Sequence, residues 1–176
     1  IGPGVEVRCA AGVTLQVGEY DSYYNIHRAR LIVEGTPEER VRFTADGGPG
    51  APWGGLRLCY SANEYDRDSL FYCDIEYAGY GILTDRSQYV TLEGCRITHC
   101  SGHGIAGSAN LWLRECEVSD NGDGGISVSS NLFELINCQV LRNGGDGVRC
   151  VEVGLVDSCR IEENDGIGLY ATGGVI

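Results

Sequence analysis

The chain has 176 residues, enough for one domain with a core of its own. Its 25 acidic and 13 basic residues leave a net charge of −12, which excludes the basic stripe that a nucleic-acid backbone demands and favours cationic ligands, calcium or neutral glycans. Glycine is abundant at 27 residues and proline scarce at four, so turns are frequent without a collagen-like period.

All the basic residues are arginine, and there is no methionine. No apolar run reaches the about 20 residues of a membrane-spanning helix, and no basic-then-apolar leader opens the chain. A chain that starts at Ile1 without methionine reads as a processed product or an excised piece.

In chain order, "VEVRC" (5–9) and "VTLQV" (13–17) alternate apolar and polar residues, as half-buried strands do. "EYDSYYNIHR" (19–28) breaks the alternation and reads as an insertion; "ARLIVEG" (29–35) and "VRFTA" (41–45) resume it. "GTPEER" and "DGGPGAPWGG" are turn and loop, and "SANEYDRD" (61–68) is a second insertion. Residues 1–69 therefore form an irregular N-terminal part.

From residue 70 a repeat takes over. Cys73, Cys95, Cys116, Cys138 and Cys159 follow one another at 22, 21, 22 and 21 residues, each followed two positions on by Ile75, Ile97, Val118, Val140 or Ile161. A second column runs Ala78, Cys100, Asn121, Asn143, Asn164, and a third is the Gly-aliphatic pair from Gly81-Ile82 to Gly168-Leu169. No segment has sustained helical periodicity.

Short strands, glycine turns and an asparagine column at this period resemble the right-handed parallel β-helix of the pectate-lyase-like superfamily. "LIVEGTPEERVRFTADGGPGAPWGGLRL" is similar to the opening coils of bacterial secreted β-helix repeat proteins. The resemblance implies an all-β solenoid of about seven coils of 21–22 residues, stacked about 4.8 Å apart, in one domain over 1–176 with the regular coils in 70–176.

The nine cysteines include a column of five, which reads as a reduced packing ladder or, since stacked neighbours lie within bridging range, as the source of one or more disulfides. There is no C-x-x-C pair for zinc. His99, Cys100 and His103 lie close in sequence, but Cys100 belongs to the inward column and the histidines to the outside, so they diverge as ligands. "GHGIAG" (102–107) fits G-x-G-x-x-G, yet its glycines recur as turn glycines in later coils and no helix follows, so it is no dinucleotide fingerprint. The acidic turns "DNGDGG" and "NGGDG", with Asp120, Asp123, Asp146 and Asp165, offer solvated carboxylates or a calcium-collecting edge.

The outward column Tyr77, His99, Asp120, Arg142, Glu163, with Tyr80, His103 and Asp146 close behind it, would form a ridge or shallow groove along the axis, suited to an extended glycan. As an enzyme, the resemblance would imply a polysaccharide lyase or a glycoside hydrolase. A lyase needs an arginine or lysine base and a cation for the substrate carboxylate; here there is no lysine, and Arg142 stands among acids. The hydrolase motifs are missing, and "YGILTD" departs from the family's epimerase signature after its second residue, so no catalytic residue is assigned.

The stack ends carry no capping helix. The expectation is therefore an extracellular or cell-surface structural or adhesive module, stacking end to end or on other extracellular segments, with calcium the one cofactor to consider. The alternative is a glycan-binding or polysaccharide-degrading module.

Overall fold

In each coil, alternation places one set of side chains inward and the next outward, and three short runs per coil satisfy it. The computed structural model describes residues 1–22, 25–59, 67–85, 89–129 and 132–174. In chain order the first coil holds β1 (Glu6–Cys9), β2 (Thr14–Val17), β3 (Glu19–Ser22), β4 (Asn25–His27) and β5 (Ile32–Glu34). The second holds β6 (Val41–Ala45), β7 (Gly55–Cys59) and β8 (Asp68–Phe71), and the third β9 (Cys73–Glu76), β10 (Ile82–Asp85) and β11 (Tyr89–Glu93). Then come β12 (Arg96–Thr98), β13 (Ile105–Gly107) and β14 (Asn110–Arg114), followed by β15 (Glu117–Ser119), β16 (Ile126–Val128) and β17 (Phe133–Ile136). The last are β18 (Gln139–Leu141), β19 (Val148–Val153), β20 (Leu155–Asp157), β21 (Arg160–Glu162) and β22 (Leu169–Gly174).

These strands stack into three parallel sheets that run the length of the molecule. The first is β1-β6-β9-β12-β15-β18-β21, the second β2-β7-β10-β13-β16-β19-β22, and the third β5-β8-β11-β14-β17-β20. The all-β parallel solenoid is thus as expected, but its coils are not uniform. Register partners Glu6, Arg42, Asp74, Arg96, Glu117, Gln139 and Arg160 are separated by 36, 32, 22, 21, 22 and 21 residues. The 21–22 residue period therefore holds for about five coils, from Cys73 onward, and the two upstream coils are longer.

The extra length goes where the insertions were expected. Part of 19–28 folds as an antiparallel hairpin, β3 with β4. Of the second insertion, 61–66 lies outside the described residues, while Asp68 has returned to the stack: it is buried and its Oδ1 accepts the Leu31 N–H at 2.7 Å.

Inside, like stacks on like. Phe43, Ile75, Ile97, Val118 and Val140 are buried in one column of the first sheet; Leu56, Ile82, Ile105, Ile126 and Val148 form another in the second. The column glycines are forced by this packing. A Cβ on Gly125 would sit 2.6 Å from Val140 Cγ1 and 2.9 Å from Asn143 Nδ2, so the glycine lets the chain pass over the next coil.

Candidate functional site

The corner between the first and second sheets is built from two neighbouring positions in each coil. The inner one is the asparagine column. Asn121 Nδ2 donates to Asn143 Oδ1 and Asn143 Nδ2 to Asn164 Oδ1, each at 2.9 Å. The three side chains also donate to the backbone carbonyls of Ile97, Val118 and Val140 at 3.0–3.2 Å, and Asn143 Oδ1 accepts the Asn121 N–H at 3.2 Å. Each amide thus satisfies corner backbone groups that no strand partner reaches. Cys100 continues the column: its backbone N–H donates to Asn121 Oδ1 at 3.0 Å, and its thiol is buried. Burial pushes that thiol up to about 11.

The outer position is the ridge. Tyr77, His99, Asp120, Arg142 and Glu163 all have left-handed backbone, with φ between 52° and 57°. That conformation turns the chain from one sheet to the next, so these side chains face out because the corner requires it. Tyr77 and His99 pack ring to ring at 5.5 Å. Arg142 donates two hydrogen bonds to Asp120, at 2.8 and 2.7 Å, and this guanidinium holds the Asp120 carboxyl below its usual range. Glu163 completes the column at the C-terminal end.

In the second row, Tyr80 meets His103 edge to face at 6.3 Å, and Tyr80 is 42% exposed. His103 Nδ1 accepts the Gly124 N–H at 3.1 Å; Asp123 stands 3.7 Å away. One coil on, Gly124 occupies the position of His103, and the next coil supplies Asp146. The missing side chain leaves a cleft of about 170 Å³ between His103 and Asp146, with Ser127 and Arg149 on its wall. Asp146 Oδ1 accepts the Ile167 N–H at 2.7 Å, and its other oxygen pairs with Arg149 at 2.5–2.8 Å. The Ile167 N–H first, then Arg149, hold its carboxyl below the usual range. Arg149 also lies over the Tyr170 ring at 4.4 Å.

All eight ridge residues therefore lie along one edge, and six of them pair with one another, Tyr77 with His99, Tyr80 with His103 and Arg142 with Asp120, while Asp146 is taken by Arg149 and the Ile167 N–H. Arg149, Ser127 and Tyr170, not singled out from the sequence, belong to the same edge. They occupy the outward positions of successive second-sheet strands, a signal that alternation alone carries. His99 and His103 face out while Cys100 points in, as their columns imply, and among the described residues no group of three His, Cys, Asp or Glu side chains converges on a common point. Asp123 and Asp165 are exposed turn residues.

The five-cysteine column lies at the opposite corner, beside the third sheet. The carbonyls of Cys95, Cys116 and Cys138 each accept the N–H of the residue following the next cysteine, at 2.8–2.9 Å, so the column is in register. All nine cysteines are free thiols, eight buried and Cys159 partly exposed. The Sγ atoms of Cys73 and Cys95 lie 3.5 Å apart. Hydrogen bonding with the neighbouring ladder thiols, reinforced by burial, pushes Cys73 and Cys116 well up, while thiols donating from Cys116 bring Cys138 down to about 7. A groove of about 290 Å³ opens over this corner between Arg40 and Gln139 and reaches Cys116.

Three parallel sheets wound as one stack, with ladders at the corners, define a parallel β-solenoid. The family model for the right handed beta helix region matches residues 62–175, and the chain belongs to that family. No curated protein and no solved structure matches the chain.

Proposed function

We propose that this chain is a structural or adhesive module that works by stacking: its coils pair with further β-helical coils, from a second copy or from another protein segment. The observation that carries the reading is the contrast between the three sheets and the ridge. Each sheet grows coil by coil through parallel pairing of one strand on the next, over a continuous buried core. Parallel strand edges of this kind are a template for strand addition. On the ridge, the charged groups of Asp120, Arg142 and Asp146 are already engaged within the molecule.

The same contrast weighs against catalysis. A glycosidic general acid needs a carboxyl raised toward neutrality, and Asp120 and Asp146 are both held low by their partners. The location we propose is extracellular or at the cell surface. The acidic chain suits an exposed site, and burial of eight thiols shields them from direct attack by an oxidising medium, Cys159 alone being partly exposed.

Electron microscopy and sedimentation of the purified chain test the reading. Concentration-dependent rods or filaments one solenoid wide are expected; monodisperse monomers at high concentration, with no binding of other β-helical coils, would overturn it.

A second reading, glycan binding, is favoured by the exposed rings of His99 and Tyr80, each packed on a half-buried partner, Tyr77 and His103, the latter lining the 170 Å³ cleft. Calcium would fit it as a bridge between acidic turns and sugar hydroxyls. Retention on immobilised plant or bacterial glycans, lost in Tyr77→Ala and His99→Ala, is its expected result; uniform failure to bind would sink it.

A further inference from the structure

The cysteine column has a geometry that packing alone does not require. Five thiols occupy one register position in five consecutive coils, with no other residue type between them. Cys73, at one end, is fully buried, while Cys159, at the other, is partly exposed. Cys159 Sγ accepts the Cys138 N–H at 3.4 Å, so its sulfur lies against the next member of the column. Thiol–disulfide exchange proceeds by attack of a thiolate on one sulfur of a disulfide, with departure of the other. It needs each thiol to lie next to the sulfur it attacks, and a column in register sets the five thiols side by side in order, with the Cys73 and Cys95 sulfurs 3.5 Å apart.

We infer that the column is a thiol–disulfide relay: a small external disulfide oxidises it at Cys159, and the resulting bridge migrates inward by exchange to rest between Cys73 and Cys95.

The steps balance. Cys159 attacks a disulfide RSSR, forming a Cys159–SR bond and releasing RSH. Cys138 attacks Cys159 Sγ, forming the Cys138–Cys159 bridge and releasing the second RSH. Cys116 then attacks Cys138 Sγ, and Cys159 leaves as a thiol with the proton from Cys116. Cys95 attacks Cys116 Sγ and returns Cys138 to the thiol; Cys73 attacks Cys95 Sγ and returns Cys116. The net change is two protein thiols and RSSR to one protein disulfide and two RSH.

The final position suits a stored bridge. The Cys73 and Cys95 sulfurs already lie 3.5 Å apart, and both side chains have zero exposure. A reductant would have to act through the column as well. The depressed Cys138 thiol supports the second step, because it supplies a thiolate next to Cys159 near neutral pH.

The test uses the folded full chain, one molar equivalent of dithiodipyridine, acid quenching over time and peptide mapping of the bridges. In the unsubstituted chain, Cys138–Cys159 should appear first and Cys73–Cys95 accumulate later. In Cys116→Ser the Cys138–Cys159 bridge should form at the normal rate, while Cys73–Cys95 slows by about tenfold or more, because exchange loses one member of the line. Cys116→Ala provides a second variant of different polarity, and circular dichroism checks that each is folded. A Cys73–Cys95 bridge that forms as fast in both variants, or an unsubstituted chain in which the bridge stays at Cys138–Cys159 or never forms, would overturn the relay. If neither variant folds, the time order in the unsubstituted chain decides alone: simultaneous appearance of the two bridges refutes it.

Discussion

The two upstream coils and the five regular ones close the same corner by different means. In the last three regular coils the position is asparagine, and the amides of Asn121 and Asn143 bind the previous coil as well as the next asparagine. In the second coil the equivalent place is Trp53, whose backbone pairs with that of Ala78 in the same parallel manner. Trp53 is fully buried, stacks near Phe43 at 6.5 Å, and its Nε1 donates forward to Glu76 O at 2.9 Å. One polar ladder and one large aromatic thus satisfy the same backbone need, and the small Ala78 and Cys100 stand where the two solutions meet. The upstream coils add ion pairs on the outer face: Arg40 binds Asp74 at 2.9 Å together with the carbonyls of Cys73 and Gly94, and Arg42 bridges Glu6 and Glu76. The regular coils have such a pair too, Arg142 with Asp120, but there the asparagine ladder joins the corner as well.

The largest effect expected from this comparison is at the ladder's middle. Asn143→Ala leaves Val118 O, the Asn121 amide and the Asn121 N–H without their partner, and should cost about 3–5 kcal/mol, read from urea unfolding. A loss below about 1 kcal/mol would mean that water replaces the amide and the ladder is not what holds the corner. Trp53→Phe keeps most of the apolar volume but removes the bond to Glu76 O; about 1–2 kcal/mol is expected, so the aromatic closure should prove more tolerant than the polar one.

Much of the regular half is legible in the sequence, because a fixed period converts residue identity into position. The cysteine, asparagine and glycine columns could all be read that way. The upstream half was legible as strands, at 5–9, 13–17, 29–35 and 41–45, but not as columns, because spacings of 36 and 32 residues hide the period and Trp53 shares no residue type with the asparagines farther along its column. The ridge was legible as a column but not as a left-handed corner. Only glycine, asparagine and aspartate favour that conformation, and Tyr77, His99, Arg142 and Glu163 give no such hint. Nor did the spacing say that Arg142 would take Asp120 rather than a ligand; that follows from their adjacency on successive coils.

Two smaller tests bear on the corners. At the corner beside the cysteines, Tyr72, Glu115, Asn137 and Ser158 are also left-handed, with φ of 45–54°, and Gly94 fills the same place in the third coil. Glu115→Gly should therefore stabilise the folded chain by about 0.5–1 kcal/mol, the relief of left-handed backbone less the greater freedom of glycine when unfolded. A neutral or destabilised variant would show that the corner costs no strain. The smallest effect concerns acid. Asp120 and Asp146 have depressed folded-state pKa values, so their contribution is complete above the ordinary carboxylate value of about 4 and is lost as pH falls through the folded values. Asp146→Asn should flatten that acid limb of the thermal midpoint by lowering the neutral value a little toward the acid one, a small effect because the pair with Arg149 is partly solvated.

The left-handed corner has one more consequence. Because its turn is made by the backbone, the side chain it displays is almost independent of the frame that displays it. Tyrosine, histidine, aspartate, arginine and glutamate already stand there in turn without disturbing the coils beneath. The edge therefore behaves as a row of type slots in a printing forme: exchanging or reordering coils would rewrite the surface one character at a time, with the letters held at a fixed pitch.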